Sequence, residues 1–233
     1  MHPDLIPRND VARLDALRRY QVLDFTSERV FDELAQLTAL LFRAPIALLS
    51  LVDETEVLFK GNYGLPGAGR VERHLSLCSA AVLQNETLVL PDLDAAPCRL
   101  TDPLLAEQLD LKFYAGHVLQ TDHGYNIGTL CVIDRRPRAF GAADDALLTT
   151  LAIVAMRLLD LRLALDATAA TSFALWEPAY GAIQWQFEHL RGLAERRGAP
   201  PTCNAPLTDA MSREVAVIAA VLDRYIATTL ARV

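Results

Sequence analysis

KFYAGHVLQTDHGYNIGTLCVIDRRP, residues Lys112–Pro137, holds the clearest pattern in the chain. Two β-rich runs flank a polar turn at Asp122–Gly124, which predicts a β-hairpin. In the first run, alternation puts Phe113, Ala115 and His117 on one face and Tyr114 and Gly116 on the other. In the second run, Cys131 points away from the side that Leu130 and Val132 share. Both sides are apolar, so this strand reads as covered on both faces.

Moving towards the N-terminus, TLVLPD (Thr87–Asp92) reads as a strand that Pro91 stops. Residues 93–110 read as loop and short helix, punctuated by Pro97 and Pro103. RHLSLCSAAVLQNE (Arg73–Glu86) reads as a short helix with Ser76 as its cap. IALLSLVD (Ile46–Asp53) is a buried strand, and VLFKGNYGL (Val57–Leu65) is the next, with Gly61 and Gly64 marking a turn or bulge. Asn9 or Asp10 caps a first helix to about Val22, with Val11, Leu14 and Leu17 on one side. Ser27 caps a second, with Val30, Phe31, Leu34, Leu37, Leu41 and Phe42 at helical spacing and Pro45 as its stop. This order predicts an α+β fold with an antiparallel sheet and helices on its faces.

C-terminal to the hairpin, a long helix is predicted over Ala142–Ala169. Leu147, Leu151, Val154, Leu158, Leu161 and Leu165 are spaced 4, 3, 4, 3, 4 along it. That is a heptad seam, and it suggests a parallel homodimer. A second row, Leu148, Ala155 and Leu159, could serve the chain's own sheet. Beyond residue 170, one helix is predicted over 177–197, with Ile183, Phe187, Leu190 and Leu193 as its apolar set. Another runs from Asp209 to Arg232, with Met211, Val215, Ile218, Leu222 and Tyr225. Two helices make a thin core, so this tail should pack on the first unit or on a second copy. The predicted division is 1–168 and an α-helical hairpin extension at 169–233.

Apolar residues make up 52% of the 233, enough for a real core. Lys and Arg number 22 against 29 Asp and Glu, a net charge of −7. No basic cluster stands out, which argues against nucleic acid as a partner. The most apolar helical stretch, LLTTLAIVAMRLLDLRLAL, carries Arg157, Asp160 and Arg162, so no membrane span is predicted. MHPDLIPRNDVARL has no apolar h-region. Cys78, Cys98, Cys131 and Cys203 are widely spaced and form neither a disulfide framework nor a zinc pattern. Together these features predict a cytoplasmic location and no metal site. P-loop, dinucleotide, HExxH and G-x-S-x-G patterns are absent from the chain.

IALLSLVD, LFKGNYGL, RHLSLCSAAVLQNETLVLPD, DPLL, LKFYAGHVL and IGTLCVIDRRPR, in that order, resemble a GAF domain of the bacterial sensor type over roughly residues 9–165. The resemblance implies a central antiparallel sheet of about six strands with helices on both faces, and a pocket roofed by the irregular region and the short helix. It implies a sensory or regulatory module that binds a small molecule or a partner signalling protein, passes its signal through dimerised terminal helices, and is not an enzyme. The pattern of cyclic-nucleotide-binding members is absent. Ser79 follows Cys78 where bilin-binding members carry histidine. The pocket cysteines of free methionine sulfoxide reductases of this type are also missing. No ligand or cofactor is therefore named by the residues.

The candidate pocket residues are Lys60, His74, Cys78, Asp92, Phe113, Tyr114 and His117. Cys78 stands in a helical first turn, where unpaired N–H groups favour a thiolate, with Arg73 and His74 close in sequence. No base, acid or second thiol stands at fixed spacing from it, so the packing role is favoured over a catalytic one. Cys131 reads as core. A redox pair of Cys78 with Cys98 would need Cα atoms within about 7 Å. Phe113, Tyr114 and His117 stand beside the small Ala115 and Gly116, which leave room for a ligand or a packed helix. Lys60 and Asp92 end strands near the expected rim. A thiol-based sensor or reductase through Cys78 is the alternative reading. Phosphotransfer through His189, in FEHLRGLAERR, is another.

Overall fold

The computed structural model describes residues 3–20, 28–167, 172–195 and 209–230. Ser27, Val22 and Cys203 lie outside them, as do the side chains of Leu165, Leu193, Met211, Val215, Ile218, Leu222 and Tyr225. The elements in order are α1 (Asp10–Arg19), α2 (Arg29–Phe42), β1 (Ile46–Val52), β2 (Glu56–Tyr63), β3 (Arg70–Glu72), α3 (Leu77–Ala81), β4 (Leu88–Leu90), α4 (Leu104–Gln108), β5 (Phe113–Gln120), β6 (Asn126–Asp134), α5 (Ala142–Ala167), α6 (Ser172–Glu195) and α7 (Asp209–Leu230). Two 3₁₀ turns accompany them among the described residues: Pro3–Leu5 precedes α1, and Arg73–Leu75 leads into α3.

The strands form one six-stranded sheet in the order β3-β2-β1-β6-β5-β4. Every neighbouring pair is antiparallel. The hairpin quoted above supplies β5 and β6, and Gly124 takes the left-handed backbone its turn requires (φ 78). All residues of β1 and β6 are buried. These central strands are the apolar runs, because there the sheet has cover on both faces along the whole strand.

One face carries α2 and α5. Phe31, Leu34 and Leu37 of α2 meet Leu49, Leu51, Leu130, Val132 and Phe113 from the sheet, with Leu148, Leu151 and Leu158 of α5 in the same core. Burying each such side chain contributes about 1.5–3 kcal/mol. Helix α2 stops where expected. Arg43 turns into left-handed backbone (φ 50), Ala44 N–H donates back to Ala39 O at 2.9 Å, and Pro45 follows. The opposite face holds a smaller core of Leu48, Val57, Leu93, Leu111, Tyr114, Cys131 and Ile133 beneath α3.

Helices α6 and α7 add a further layer outside α2 and α5. Ile183, Phe187 and Leu190 of α6 and Ala219 and Ile226 of α7 enter the same core as the sheet. Polar ties accompany them. Gln184 donates to Glu33, Arg191 to Gln36, and Arg157 to Asp223 at 3.0 Å. The tail packs on the first unit.

That packing corrects the expected dimer seam. Leu147, Leu151, Val154, Leu158 and Leu161 are each at most 4% exposed within this single chain. Helix α5 lies on β5 and β6 on one side and on α7 on the other, so the stripe is taken up by its own chain. Val11 is also misassigned: it is 77% exposed, while Leu14 and Leu17 are buried. Strand β3, the three residues RVE, is too short and too polar to show an apolar period in the sequence. No helix among the described residues is long and apolar enough to cross a membrane.

Candidate functional site

The cavity system under α3 and α4 starts from the floor of the sheet. Leu48 of β1, Tyr114 of β5 and Ile133 of β6 point to this face, each one residue out of phase with the helix-facing core. The segment Leu75–Cys78 and Phe59 make one wall, and Leu105, Ala106, Leu109 and Leu111 make the roof. These side chains leave a nearly filled apolar cavity of about 30 Å³. A second cavity of about 190 Å³ adjoins it through Leu77, Ala106 and Leu111. Its polar lining comprises the exposed Asp94 and Glu107, the half-buried Lys112 and the buried Thr101, and it also reaches Cys98. Lys112 is held 2.8 Å from Asp94 and 3.1 Å from Asp110, and those contacts raise its pKa.

Ser76 caps α3 as expected, its Oγ accepting from Cys78 N–H at 3.3 Å. The Cys78 side chain lies in the inner core. Ser50 Oγ donates to Cys78 Sγ at 3.0 Å and shares a 2.9 Å hydrogen bond with Thr129 Oγ1. Cys131 Sγ is 3.9 Å from Cys78 Sγ. Donation from Cys131 acts first on Cys78, against burial and with help from Ser50, and its pKa is pushed down to about 6. The same interaction, with burial, pushes the Cys131 thiol well up. Tyr114 Oη is buried beside this cluster, close enough to act on Cys78 and Thr129, without a hydrogen bond of good geometry among the described residues.

Of the seven residues predicted to line a pocket, the structure brings only Cys78 and Tyr114 to this cavity. Lys60 faces the opposite side, beneath α2. Its Nζ is 2.9 Å from Glu28 Oε1 and 5.4 Å from the Phe31 ring centre. Neighbouring Phe59 faces the cavity, so alternation along β2 forces Lys60 away. Phe113 is likewise in the helix-side core, tilted against Phe140. His74 is half-buried with Nδ1 3.3 Å from Glu72 Oε2. Asp92 caps its own turn, accepting from the N–H groups of Asp94 and Ala95.

His117 lies on the α5 side, where Nδ1 meets Thr87 Oγ1 at 2.8 Å and Thr149 Oγ1 at 3.3 Å. Burial lowers its pKa, with the Asp145 carboxylate opposing. It borders an open groove of about 460 Å³ between the hairpin and α5, along with Gln120, Thr149, Ile153, Arg157 and Asp160. His189 is exposed on α6, its ring stacked on Trp185 at 5.9 Å. Ser50 and Thr129 were missed as site residues. Their signal was a lone hydroxyl inside each of two apolar runs, IALLSLVD and IGTLCVID. Among the described residues, no group of three or more His, Cys, Asp and Glu could hold a metal ion.

Comparison with known proteins gives these features a family. A cyclic di-GMP phosphodiesterase of Pseudomonas aeruginosa is 31% identical over 132 residues, which make up 57% of this chain and 22% of that protein. The chain thus spans about a fifth of the length of this relative. The solved GAF domain from the Acinetobacter phosphoenolpyruvate-protein phosphotransferase is 18% identical, with TM-score 0.47 over 64% of this chain and 93% of that one. A free methionine-R-sulfoxide reductase from Neisseria meningitidis, solved with its substrate, is 21% identical, with TM-score 0.46 over 64% and 85% of the two chains. The sequence model of the GAF domain matches residues 26–159, more than half of the chain, and the protein belongs to the GAF domain family.

Proposed function

We propose that the chain is a non-catalytic sensory module of bacterial signal transduction, and that it binds a small molecule in the paired cavities under α3 and α4. The observation that carries this reading is the graded lining of those cavities. Apolar walls surround the inner one, and the solvent-reaching Asp94, Glu107 and Lys112, with the buried Thr101, line the outer one. Such a lining suits a small amphipathic metabolite whose polar end stays at the rim. The volumes are below the about 300–1,000 Å³ of sites for drug-sized ligands. A larger ligand would have to displace the short helices α3 and α4.

The sheet supplies the route outward. Tyr114 forms part of the cavity floor, while Phe113 and Ala115, its neighbours on β5, face the core that holds α5. Helix α5 packs in turn on α7. A shift of the floor would reach the terminal helices, which would present the signal to a second copy or to a partner signalling protein. With the Leu147–Leu161 stripe buried, a homodimer would use the outer surfaces of these helices.

Isothermal titration against nucleotides, haem and amino-acid metabolites tests the reading. We expect saturable binding of at least one compound, and its loss in Ala106→Trp, which fills the junction of the two cavities. Blank titrations with the wild type, or binding unchanged in Ala106→Trp, would overturn it.

A further inference from the structure

Cys78 and Cys131 face each other across the interface between α3 and the sheet, and the ligand reading uses neither thiol. Their sulfurs are 3.9 Å apart, both thiols are free, and exposure is 3% and 0%. A disulfide spans about 2.05 Å, so the sulfurs must close by roughly 1.9 Å. The two sides are unequal in their freedom to move. Cys131 sits in β6, which is paired to β1 on one side and β5 on the other. Cys78 sits in a helix of five residues whose start is held by the 3.3 Å cap from Ser76. Closure therefore falls to α3.

We propose that Cys78 and Cys131 are a redox-active pair, which hydrogen peroxide converts into an intramolecular disulfide joining α3 to β6. This does not depend on the small-molecule reading, because both sulfurs belong to one chain and no ligand takes part. Cys78 is the attacking thiol. Ser50 Oγ already donates to its sulfur, and it borders the inner cavity, whose volume of about 30 Å³ admits a molecule of about water size.

The Cys78 thiolate attacks one peroxide oxygen, the O–O bond breaks, and hydroxide leaves to take up the proton that Cys78 released. Cys78 becomes a sulfenic acid, with sulfur oxidised and oxygen reduced by two electrons. Cys131 Sγ then attacks Cys78 Sγ. The S–S bond forms, the S–O bond breaks, and the departing hydroxyl takes the Cys131 proton as water. Two thiols and one hydrogen peroxide give one disulfide and two waters. A dithiol reductant reverses the change. Because Leu77 and Cys78 line the cavities, drawing α3 inward would change their shape.

Peroxide treatment of the full chain, followed by alkylation in denaturant and tryptic mass mapping, tests the pair. No Lys or Arg separates Cys78 from Cys98, so the mapping uses Cys98→Ser/Cys203→Ser beside the wild type. We expect peptide 74–99 cross-linked to peptide 113–135, lighter by two hydrogens and released by dithiothreitol. In Cys131→Ala we expect a dimedone adduct on Cys78 instead. The proposal fails if both thiols stay fully alkylated after peroxide. It also fails if Cys78 over-oxidises while Cys131 stays free, or if wild-type cross-links involve only Cys98 or Cys203. If a variant does not fold, fragmentation of the wild-type cross-linked peptide between Cys78 and Cys98 decides the matter.

Discussion

Arg73 clamps Asp10 with two nitrogens, Nη1 3.2 Å from Oδ2 and Nη2 3.2 Å from Oδ1. The same guanidinium donates to Leu5 O, Asp53 O and Glu54 O, and Arg13 also reaches Asp10, at 2.7 Å. Both arginines are 1% exposed. Asp10 is thus the anion that lets two cations stay buried where α1 meets the end of β1. Asp10→Asn should destabilise by roughly 3–5 kcal/mol, because it leaves buried charge uncompensated. Burial alone would push the Asp10 carboxyl up. The hydrogen bonds from Arg73 and Arg13 outweigh it and hold the pKa below its ordinary value. A depressed carboxylate pKa gives stability that is present above the unfolded value of about 3.9 and lost as pH falls through the folded value. Urea melts should show a constant margin of wild type over Asp10→Asn above about pH 5, shrinking below about pH 4. A margin that does not change with pH would show that the clamp carries no titrating stability.

Gly116 stands under the Tyr114 ring. A Cβ at this position would lie 2.2 Å from Tyr114 Oη, and the aromatic is walled in by the inner core. Gly116→Ala should therefore cost about 1–3 kcal/mol through overpacking. Tyr114→Phe acts in the opposite direction. It removes a buried hydroxyl that makes no hydrogen bond of good geometry to Cys78, Thr129 or another described residue, so stability should hold or rise by up to about 1 kcal/mol. Thermal melts of the two variants check both signs. A large loss in Tyr114→Phe would mean that the hydroxyl is bonded within the thiol cluster.

The hairpin, the two buried strands and the Ser76 cap were legible because each is a local pattern. The apolar period, the turn residues and the cap all act over a few positions. The faces of the sheet were legible too. Alternation separates Tyr114 from Phe113 and His117, and Phe59 from Lys60, yet a pocket gathered by proximity in sequence crosses from one face to the other. Other features were set at long range. Arg73 reads as a positive neighbour of Cys78, but its charge is committed to Asp10, 63 positions away. The leucine seam of α5 has the period of a coiled coil, and a chain that folds its own α7 onto that helix meets the same requirement. Sequence spacing records that a stripe is buried and leaves open what buries it. The Cys78–Cys131 approach depends on how α3 seats on the sheet, which no local pattern encodes.

Phe187 tests whether the tail belongs to the same folding unit as the sheet. It is 2% exposed and shares its core with α2 and α5. Phe187→Ala should cost about 3–5 kcal/mol, through lost burial and the cavity left behind. The melt should remain a single transition shifted to lower temperature. Arg157→Ala breaks the part-exposed pair with Asp223 and should cost about 1 kcal/mol or less. Two separate transitions, with only the smaller shifted by Phe187→Ala, would mean that α6 folds apart from the sheet.

His117 should make stability fall on mild acidification. Its imidazole is held neutral on the α5 side, where Thr87 and Thr149 reach Nδ1. Burial depresses its pKa, and the Asp145 carboxylate offsets only part of that. The unfolded chain therefore takes up a proton at higher pH than the native one. The stability in question is complete above the unfolded value of about 6.5 and is lost as pH falls through the lower folded value. His117→Gln keeps a hydrogen-bonding group facing the threonines and cannot titrate. Melting temperatures at about pH 7.5 and about pH 5 should therefore differ less in His117→Gln than in the wild type. Equal differences in the two proteins would mean that the acid sensitivity arises elsewhere in the chain.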